Sequence, residues 1–184
     1  MNLNRPGLVI ALGGTGKEVV YNLRKRFQMA YGTPDPPNMR YLFIDTDMRD
    51  NEALEKFRDN AYPLRVPIQK MVDLQQPDSP TSATLRMKDW FDPILRQNIT
   101  AQNFEGGVKG VRMMGRLSLL ATSNLHELRS RILKDILALR TDTTGNDAGS
   151  MLVFVVASGG GGTGSGTFID FGYLLTNAIR RSNI

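Results

Sequence analysis

One passage near the end of the chain limits the choice of fold more than any other: "LVFVVASGGGGTGSGTFID", where an apolar, β-branched run passes straight into six glycines within the eight residues Gly159 to Gly166. Each glycine loses more backbone freedom on folding than any other residue, so a run of this density is costly. A tight turn needs one or two glycines. Six indicate a place where bare backbone has to come close to something. The preceding "MLVFVVA" (Met151 to Ala157) has the composition of a strand buried on both faces. The following "TFIDFGYLLTNAIRR" predicts a helix. Strand, glycine loop, helix is the unit that the fold must accommodate.

The same unit opens the chain. "GLVIAL" (Gly7 to Leu12), bounded by Pro6 and Gly13-Gly14, suits a buried strand. "KEVVYNLRKRFQMA" follows with Val19, Val20, Leu23 and Phe27 at helical spacing. "MRYLFIDTD" predicts a second strand ending in acids, "RDNEALEKFRDN" a second helix, and "YPLRV" (Tyr62 to Val66) a weak third strand compromised by Pro63. Between Pro67 and Glu105, Pro77 and Pro80 stand among Asp, Ser and Thr, a loop pattern. One helix is expected there, around "TLRMKDWFDPIL" with Trp90. "GGVKGVR" supplies another glycine-rich turn. In "MMGRLSLLATSNLHELRSRILKDILALR", Leu117, Leu120, Leu125, Leu128, Ile132, Leu133 and Ile136 fit one long amphipathic helix. "TDTTGNDAGS" is a polar connector. Strands alternating with helices predict an α/β fold, a parallel sheet with helices on both faces. There is no internal repeat, so residues 1–184 read as one domain.

Composition removes several classes of function. With no cysteine, disulfides, thiol nucleophiles and thiolate zinc sites are excluded. A single histidine, His126, argues against a His-rich metal site or a catalytic triad and reads as structural. The net charge of +5 admits an anionic partner. Its basic residues are scattered, in short clusters such as Arg24-Lys25-Arg26 and Arg180-Arg181, without interleaved aromatics. They read as solvated helix faces and not as a nucleic-acid surface. No apolar run reaches the roughly 18 residues a membrane span needs. The N-terminus lacks the pattern of a signal peptide, which makes a cytoplasmic protein the expectation.

In sheets of this kind ligands bind at the carboxyl ends of the strands. Three glycine-rich segments, Gly13 to Gly16, Gly106 to Gly110 and Gly159 to Gly166, all precede helices. Free amides at a helix start, together with the helix dipole, form an anion site without a cationic side chain. Thr163, Ser165 and Thr167 would add hydroxyl donors. Several such loops on one edge suggest a polyphosphate, although any one alone also reads as a turn. The P-loop pattern G-x-x-x-x-G-K-S/T fails, because Ala11 stands where its first glycine belongs and Glu18 follows Lys17. A dinucleotide G-x-G-x-x-G starting at Gly14 would meet Val19. Gly159, Gly161 and Gly164 match it formally, and Asp45 could mimic its ribose-binding acid. A dinucleotide-binding oxidoreductase therefore stays open as an alternative.

"GGGTGSG" (Gly160 to Gly166) resembles the tubulin/FtsZ signature G-G-G-T-G-S/T-G, in the same setting between strand and helix. "LGGTGKE" resembles that family's first glycine loop. "FIDTD" resembles its second-strand ending, with Thr46 and Asp47 matching, and "GVKGVRMMGR" its γ-phosphate-sensing segment, with Gly107, Gly115 and Arg116 in place. The resemblance spans the chain apart from about Pro67 to Glu105, which reads as an insertion. It implies a Rossmann-like GTPase domain that binds GTP or GDP. Gly160, Gly161, Gly162, Thr163, Gly164 and Ser165 would surround the α- and β-phosphates, with Gly13, Gly14, Thr15, Gly16 and Lys17 beneath the diphosphate. Gly107, Lys109 and Gly110 would sit near the γ-phosphate, and Asp45, Thr46 and Asp47 near the phosphates and any Mg²⁺, which commonly uses one or two carboxylates plus phosphate oxygens.

Four departures set the chain apart from FtsZ proper. Glu18 and Asp45 stand where that protein usually has Asn, Lys109 brings a cation into the γ-phosphate loop, and Met113 replaces a frequent acid. A divergent prokaryotic tubulin-like protein is the closer resemblance. The family's water-activating N-x-D-x-x-D/E loop is expected beyond Ile184. On that reading these residues are the first part of a larger GTPase that self-associates into cytoskeletal filaments, and no catalytic residue is assigned within them. A non-polymerising nucleotide-binding scaffold is the alternative on the same fold.

Overall fold

The computed structural model describes residues 5–47, 60–64, 66, 68–99, 107–121, 125–141 and 150–181. In chain order these hold β1 (Gly7–Leu12), α1 (Gly13–Tyr31), β2 (Met39–Asp45), β3 (Ala61–Pro63), α2 (Ile68–Gln75) and α3 (Pro80–Thr84). After them come α4 (Met87–Trp90), α5 (Pro93–Gln97), α6 (Arg112–Ala121), α7 (Leu125–Thr141), β4 (Leu152–Ala157) and α8 (Gly162–Arg181). The predicted second helix, the polar connector and Gly106 fall wholly or almost wholly outside the described residues.

The sheet runs β3-β2-β1-β4 with every pair parallel, a Rossmann-like α/β arrangement. Leu12 lies opposite both Ile44 and Ala157, so the three longer strands end level with one another. All six residues of β1 are buried. Strand side chains alternate between faces, and the two faces build separate cores. Val9, Ala11, Tyr41 and Phe43 point to the side covered by α1 through Val20. Leu8, Ile10, Leu12, Leu42 and Ile44 point to the other, against Leu128, Ile132, Ile136 and Leu139 of α7 and Phe171 and Leu175 of α8. Helix α1 stops at Gly32, which takes φ 73° and donates its amide to the Gln28 carbonyl at 3.0 Å. Glycine is favoured at such a left-handed cap.

Several expectations change on the structure. The stretch after Pro67 contains helices where the sequence pattern suggests a loop. Pro80 and Pro93 begin helices, capped by Ser79, which accepts from the Ser82 amide at 3.0 Å, and by Asp92, which accepts from the Ile94 amide at 2.7 Å. Proline fits the first helical position because the amide it lacks would be unpaired there anyway. Pro93 also divides the helix expected around Trp90 into α4 and α5. Helices α2 and α4 build a third cluster with α6, which includes Met71, Leu74, Met87, Phe91, Met114 and Leu117.

The single long amphipathic helix is described as two, α6 and α7, with residues 122–124 outside the described set. They pack differently: α6 divides its side chains between the third cluster (Met114, Leu117) and the sheet core (Leu119), while α7 faces the sheet alone. β4, expected to be buried on both faces, is an edge strand paired to β1 alone among the described residues, and Leu152 and Phe154 are 40% and 50% exposed. Its composition reveals the hydrophobicity but not the sheet position. Arg24, expected on a solvated face, is buried. It lies over the Tyr41 ring at 5.6 Å and pairs with Asp35, Nε to Oδ1 2.6 Å.

Candidate functional site

Helices α1 and α8 begin within one or a few residues of the ends of neighbouring strands, so their first turns meet. Gly13, with φ 76°, has no residue between itself and β1, and a Cβ placed on it would lie 3.1 Å from the Gly164 amide nitrogen. The seating is reciprocal. A Cβ on Gly16 would fall 2.5 Å from the Val156 carbonyl oxygen in β4, and one on Gly164 would fall 2.9 Å from the Leu12 carbonyl oxygen in β1. Real side chains do not tolerate either approach. The glycine loops expected from sequence are thus largely the first turns of two interlocked helices.

The first amides of a helix have no acceptor within it. α1 has no side-chain cap, and neither α1 nor α8 carries an acid in its first turn; Glu18 lies beyond it. Two helix starts, each carrying partial positive charge, therefore lie in contact. Around them, the glycines whose would-be Cβ meets nothing mark the open side: Gly14, Gly159, Gly161 and Gly110 have no atom within 4 Å of that position.

The third wall is the end of β2. Asp45 is buried, and its Oδ1 accepts from the Thr46 amide at 2.8 Å and the Asp47 amide at 3.4 Å. Burial pushes its carboxyl above the usual range, against the opposing pull of the Thr163 hydroxyl, those two amides and the charge of Lys17. The Thr46 and Thr163 hydroxyls stand 2.7 Å apart, and the Val108 amide donates to Thr46 Oγ1 at 3.2 Å. The 107–110 turn closes on this wall. A Cβ on Gly107 (φ 77°) would meet Asp47 Cβ at 2.8 Å, and the Val111 amide donates to the Val108 carbonyl at 2.9 Å. Lys109 is exposed at its tip with φ 42°, beside Gly110 at φ 84°.

The start of α1, the end of β2, the 107–110 turn and the start of α8 thus gather at one edge of the sheet, and with them the residues singled out from sequence. They do not all face the same way. Gly162 is sealed against Val108 Cγ2, 2.7 Å from its would-be Cβ, and against the Gly110 and Val111 amide nitrogens at 2.9 Å each. The hydroxyls expected to serve as ligand donors have protein partners: Ser165 donates to the Gly161 carbonyl, and Thr167 to the Thr163 carbonyl at 2.8 Å. The Gly160 amide is taken by Ser158 Oγ at 3.1 Å.

Sequence reading misses one contributor, Arg112, and gives Gly115, singled out by resemblance, no packing role. Arg112 Nη2 donates to the Gly159 carbonyl at 2.9 Å and so holds the loop from outside. Gly115 admits the Gly162 carbonyl so closely that a Cβ there would stand 2.1 Å from it. The available signal is the four-residue spacing of Gly162 and Gly166, which puts both on one helix face. Arg116, singled out by resemblance, is held by Asp170 at 2.9 and 3.3 Å and lies 4.6 Å from the Trp90 ring centre.

A family model described as tubulin-like matches residues 8–184. The chain belongs to the tubulin-like family. No curated protein and no solved structure matches it. The match includes the 67–105 stretch, which from sequence reads as an insertion. Among the described residues of this tubulin-like chain no helix is long and apolar enough to cross a membrane. Nor, among them, do three or more His, Cys, Asp or Glu side chains gather as metal ligands.

Proposed function

We propose that this tubulin-like chain binds GTP and GDP through main-chain amides at the joint start of α1 and α8. One observation carries the reading: two helix starts without acidic residues, one of them uncapped, touch at the level ends of adjacent parallel strands, Gly13 being separated from the Gly164 nitrogen by a would-be 3.1 Å contact. An anion spanning both starts would receive amides from each and offset both partial charges. The open faces of Gly14, Gly159 and Gly161 leave room for it where a Cβ would intrude.

In this reading the 160–165 turn surrounds the α- and β-phosphates, residues 13–17 lie beneath the diphosphate, and Lys109 with Gly107 and Gly110 approaches the γ-phosphate. Guanine is taken from the family. A Mg²⁺ ion fits only as a shared ligand of phosphate and the Asp45–Asp47 turn, because Asp45 Oδ1 already accepts from two amides. Mg²⁺ retains several waters in such sites. Nucleotide-dependent self-association, with hydrolysis in the assembled protein, is the family behaviour this binding would serve.

Thermal unfolding with GTP, GDP, ATP and NAD tests the binding claim. A ligand at about 100 times its dissociation constant stabilises by about 2.7 kcal/mol. Guanine nucleotides are expected to raise the midpoint and NAD to leave it unchanged. A response to NAD alone would transfer the chain to the dinucleotide binders. Sedimentation of the full-length protein with GTP and with GDP tests assembly, and equal supernatants at all concentrations would remove it.

A further inference from the structure

Thr46 lies where three parts of the site meet. Its Oγ1 accepts from the Val108 amide at 3.2 Å and lies 2.7 Å from Thr163 Oγ1, and the Thr163 hydroxyl in turn acts on the Asp45 carboxyl. The Val108 amide can only donate, so it gives to Thr46, and the two hydroxyls share the next bond, in which either can be the donor. All the groups in this chain are buried. Bonds in series within such surroundings polarise one another.

We propose that Thr46 is a positioning residue that ties the 107–110 turn to the start of α8, so that a ligand group held by the turn is felt at the helix start. The inference rests on the proposed function, which puts the γ-phosphate at the turn and the other phosphates at α8. The turn also packs directly on that helix start, Gly162 abutting Val108, Gly110 and Val111. Among the described residues, Thr46 adds a side-chain hydrogen bond to each of the two parts.

The test uses the full-length protein and three variants: Thr46→Val, Thr46→Ser and Thr163→Val. Two readings are taken, the ratio of GTP to GDP affinity and the hydrogen-exchange rate of the Val108 amide without nucleotide. Thr46→Val should lower the affinity ratio by about two- to tenfold, the factor one neutral hydrogen bond supplies, and should speed Val108 exchange. Thr46→Ser should preserve both. Thr163→Val cuts the chain one link later, so it should lower the ratio while leaving Val108 protected. A merely local anchor would not show that split. An unchanged ratio in Thr163→Val, or in Thr46→Val, overturns the proposal, as does a wild type that binds GTP and GDP equally. If the wild type binds neither nucleotide, the proposed function falls. Val108 exchange then judges the chain alone, and unaltered protection in Thr46→Val overturns it.

Discussion

Gly115 and Gly172 are both helical glycines, and replacing them with alanine should move stability in opposite directions. Propensity alone favours alanine at each by about 1 kcal/mol, because glycine gives up more backbone freedom in a helix. At Gly172 nothing lies within 4 Å of the added Cβ, so Gly172→Ala should stabilise by about 0.5–1 kcal/mol. At Gly115 the same atom would sit 2.1 Å from the Gly162 carbonyl oxygen and 2.9 Å from its carbon. Reaching even 3.0 Å requires α6 and α8 to part by about 0.9 Å. The obstacle is backbone, and it is braced from behind, since Gly164 is seated on the Leu12 carbonyl. Overpacking of this kind costs about 1–3 kcal/mol, and a backbone obstacle puts it at the upper end.

After the propensity gain is set against that cost, Gly115→Ala should lose about 1–2 kcal/mol. For a chain of this size each kcal/mol moves the thermal midpoint by roughly 2–4 °C. The two variants should therefore fall on opposite sides of the wild type by a few degrees. Urea unfolding of all three proteins, followed by far-UV circular dichroism, reads the same differences. A Gly115→Ala protein as stable as Gly172→Ala would show that the α6–α8 contact is looser than the geometry requires, and the reasoning would fail.

Three further outcomes are expected. Gly161→Ala adds a Cβ to an open face, so unfolding without nucleotide should barely change while guanine-nucleotide affinity falls by about tenfold or more; Gly162→Val cannot make this distinction, because its side chain would strike Val108 and the 110–111 backbone and disturb the fold itself. Pyrophosphate should raise the thermal midpoint more than sulfate at equal ionic strength, since only the diphosphate spans both helix starts, and equal shifts would count against a two-helix site. Asp135 carries a carboxyl raised mainly by burial, with Arg131 opposing at 3.3 Å and Arg40 and Lys134 also acting against it. A raised folded pKa means that the charge penalty is absent at low pH and appears as pH climbs from the ordinary 3.8 through the folded value. Asp135→Asn should therefore be more stable than wild type at pH 7, with the gain shrinking toward pH 4, as pH-dependent urea unfolding would reveal.

The sequence conveys whatever depends on local pattern. β1 and β2 are legible from short apolar runs bounded by turn residues, and the helix starts from glycine following strand. The site is legible as a set of positions, because strand-glycine-helix units in a parallel sheet must bring their loops to one edge. Orientation is not legible. Nothing local in "GGGGTGSG" distinguishes Gly161, which faces open space, from Gly162, which is sealed against the 107–111 turn. Position in the sheet is equally hidden: "LVFVVA" reads the same at an edge as at the centre, and only the strand order puts it at the rim. Arg24 is buried because Asp35 and Tyr41 surround it, and neither is a helix neighbour that periodicity could detect. Helix α3 escapes a sequence reading because proline followed by small polar residues suits a loop and a capped helix start alike.

Packing geometry accounts for half of the glycine run. Of its six glycines, Gly159, Gly160 and Gly161 have no backbone atom within 4 Å of a would-be Cβ, whereas Gly162, Gly164 and Gly166 each have one at 2.9 Å or less. The second set lets α8 start in contact with three neighbours at once: the 107–111 turn and β1 at its first turn, and α6 alongside, where a Cβ on Gly166 would lie 2.2 Å from the Arg112 carbonyl oxygen. Without that closeness the first amides of α8 would stand off from those of α1, and the open glycines would edge a shallow groove. Close seating is thus the condition for a concentrated anion site, since field strength at a helix terminus falls away within a turn. A chain that needed bare backbone only for its ligand could make do with three glycines. One that must also wedge a helix start between a strand, a turn and a second helix needs the other three, and their alternation with Thr163 and Ser165 reflects which side of the helix meets each neighbour.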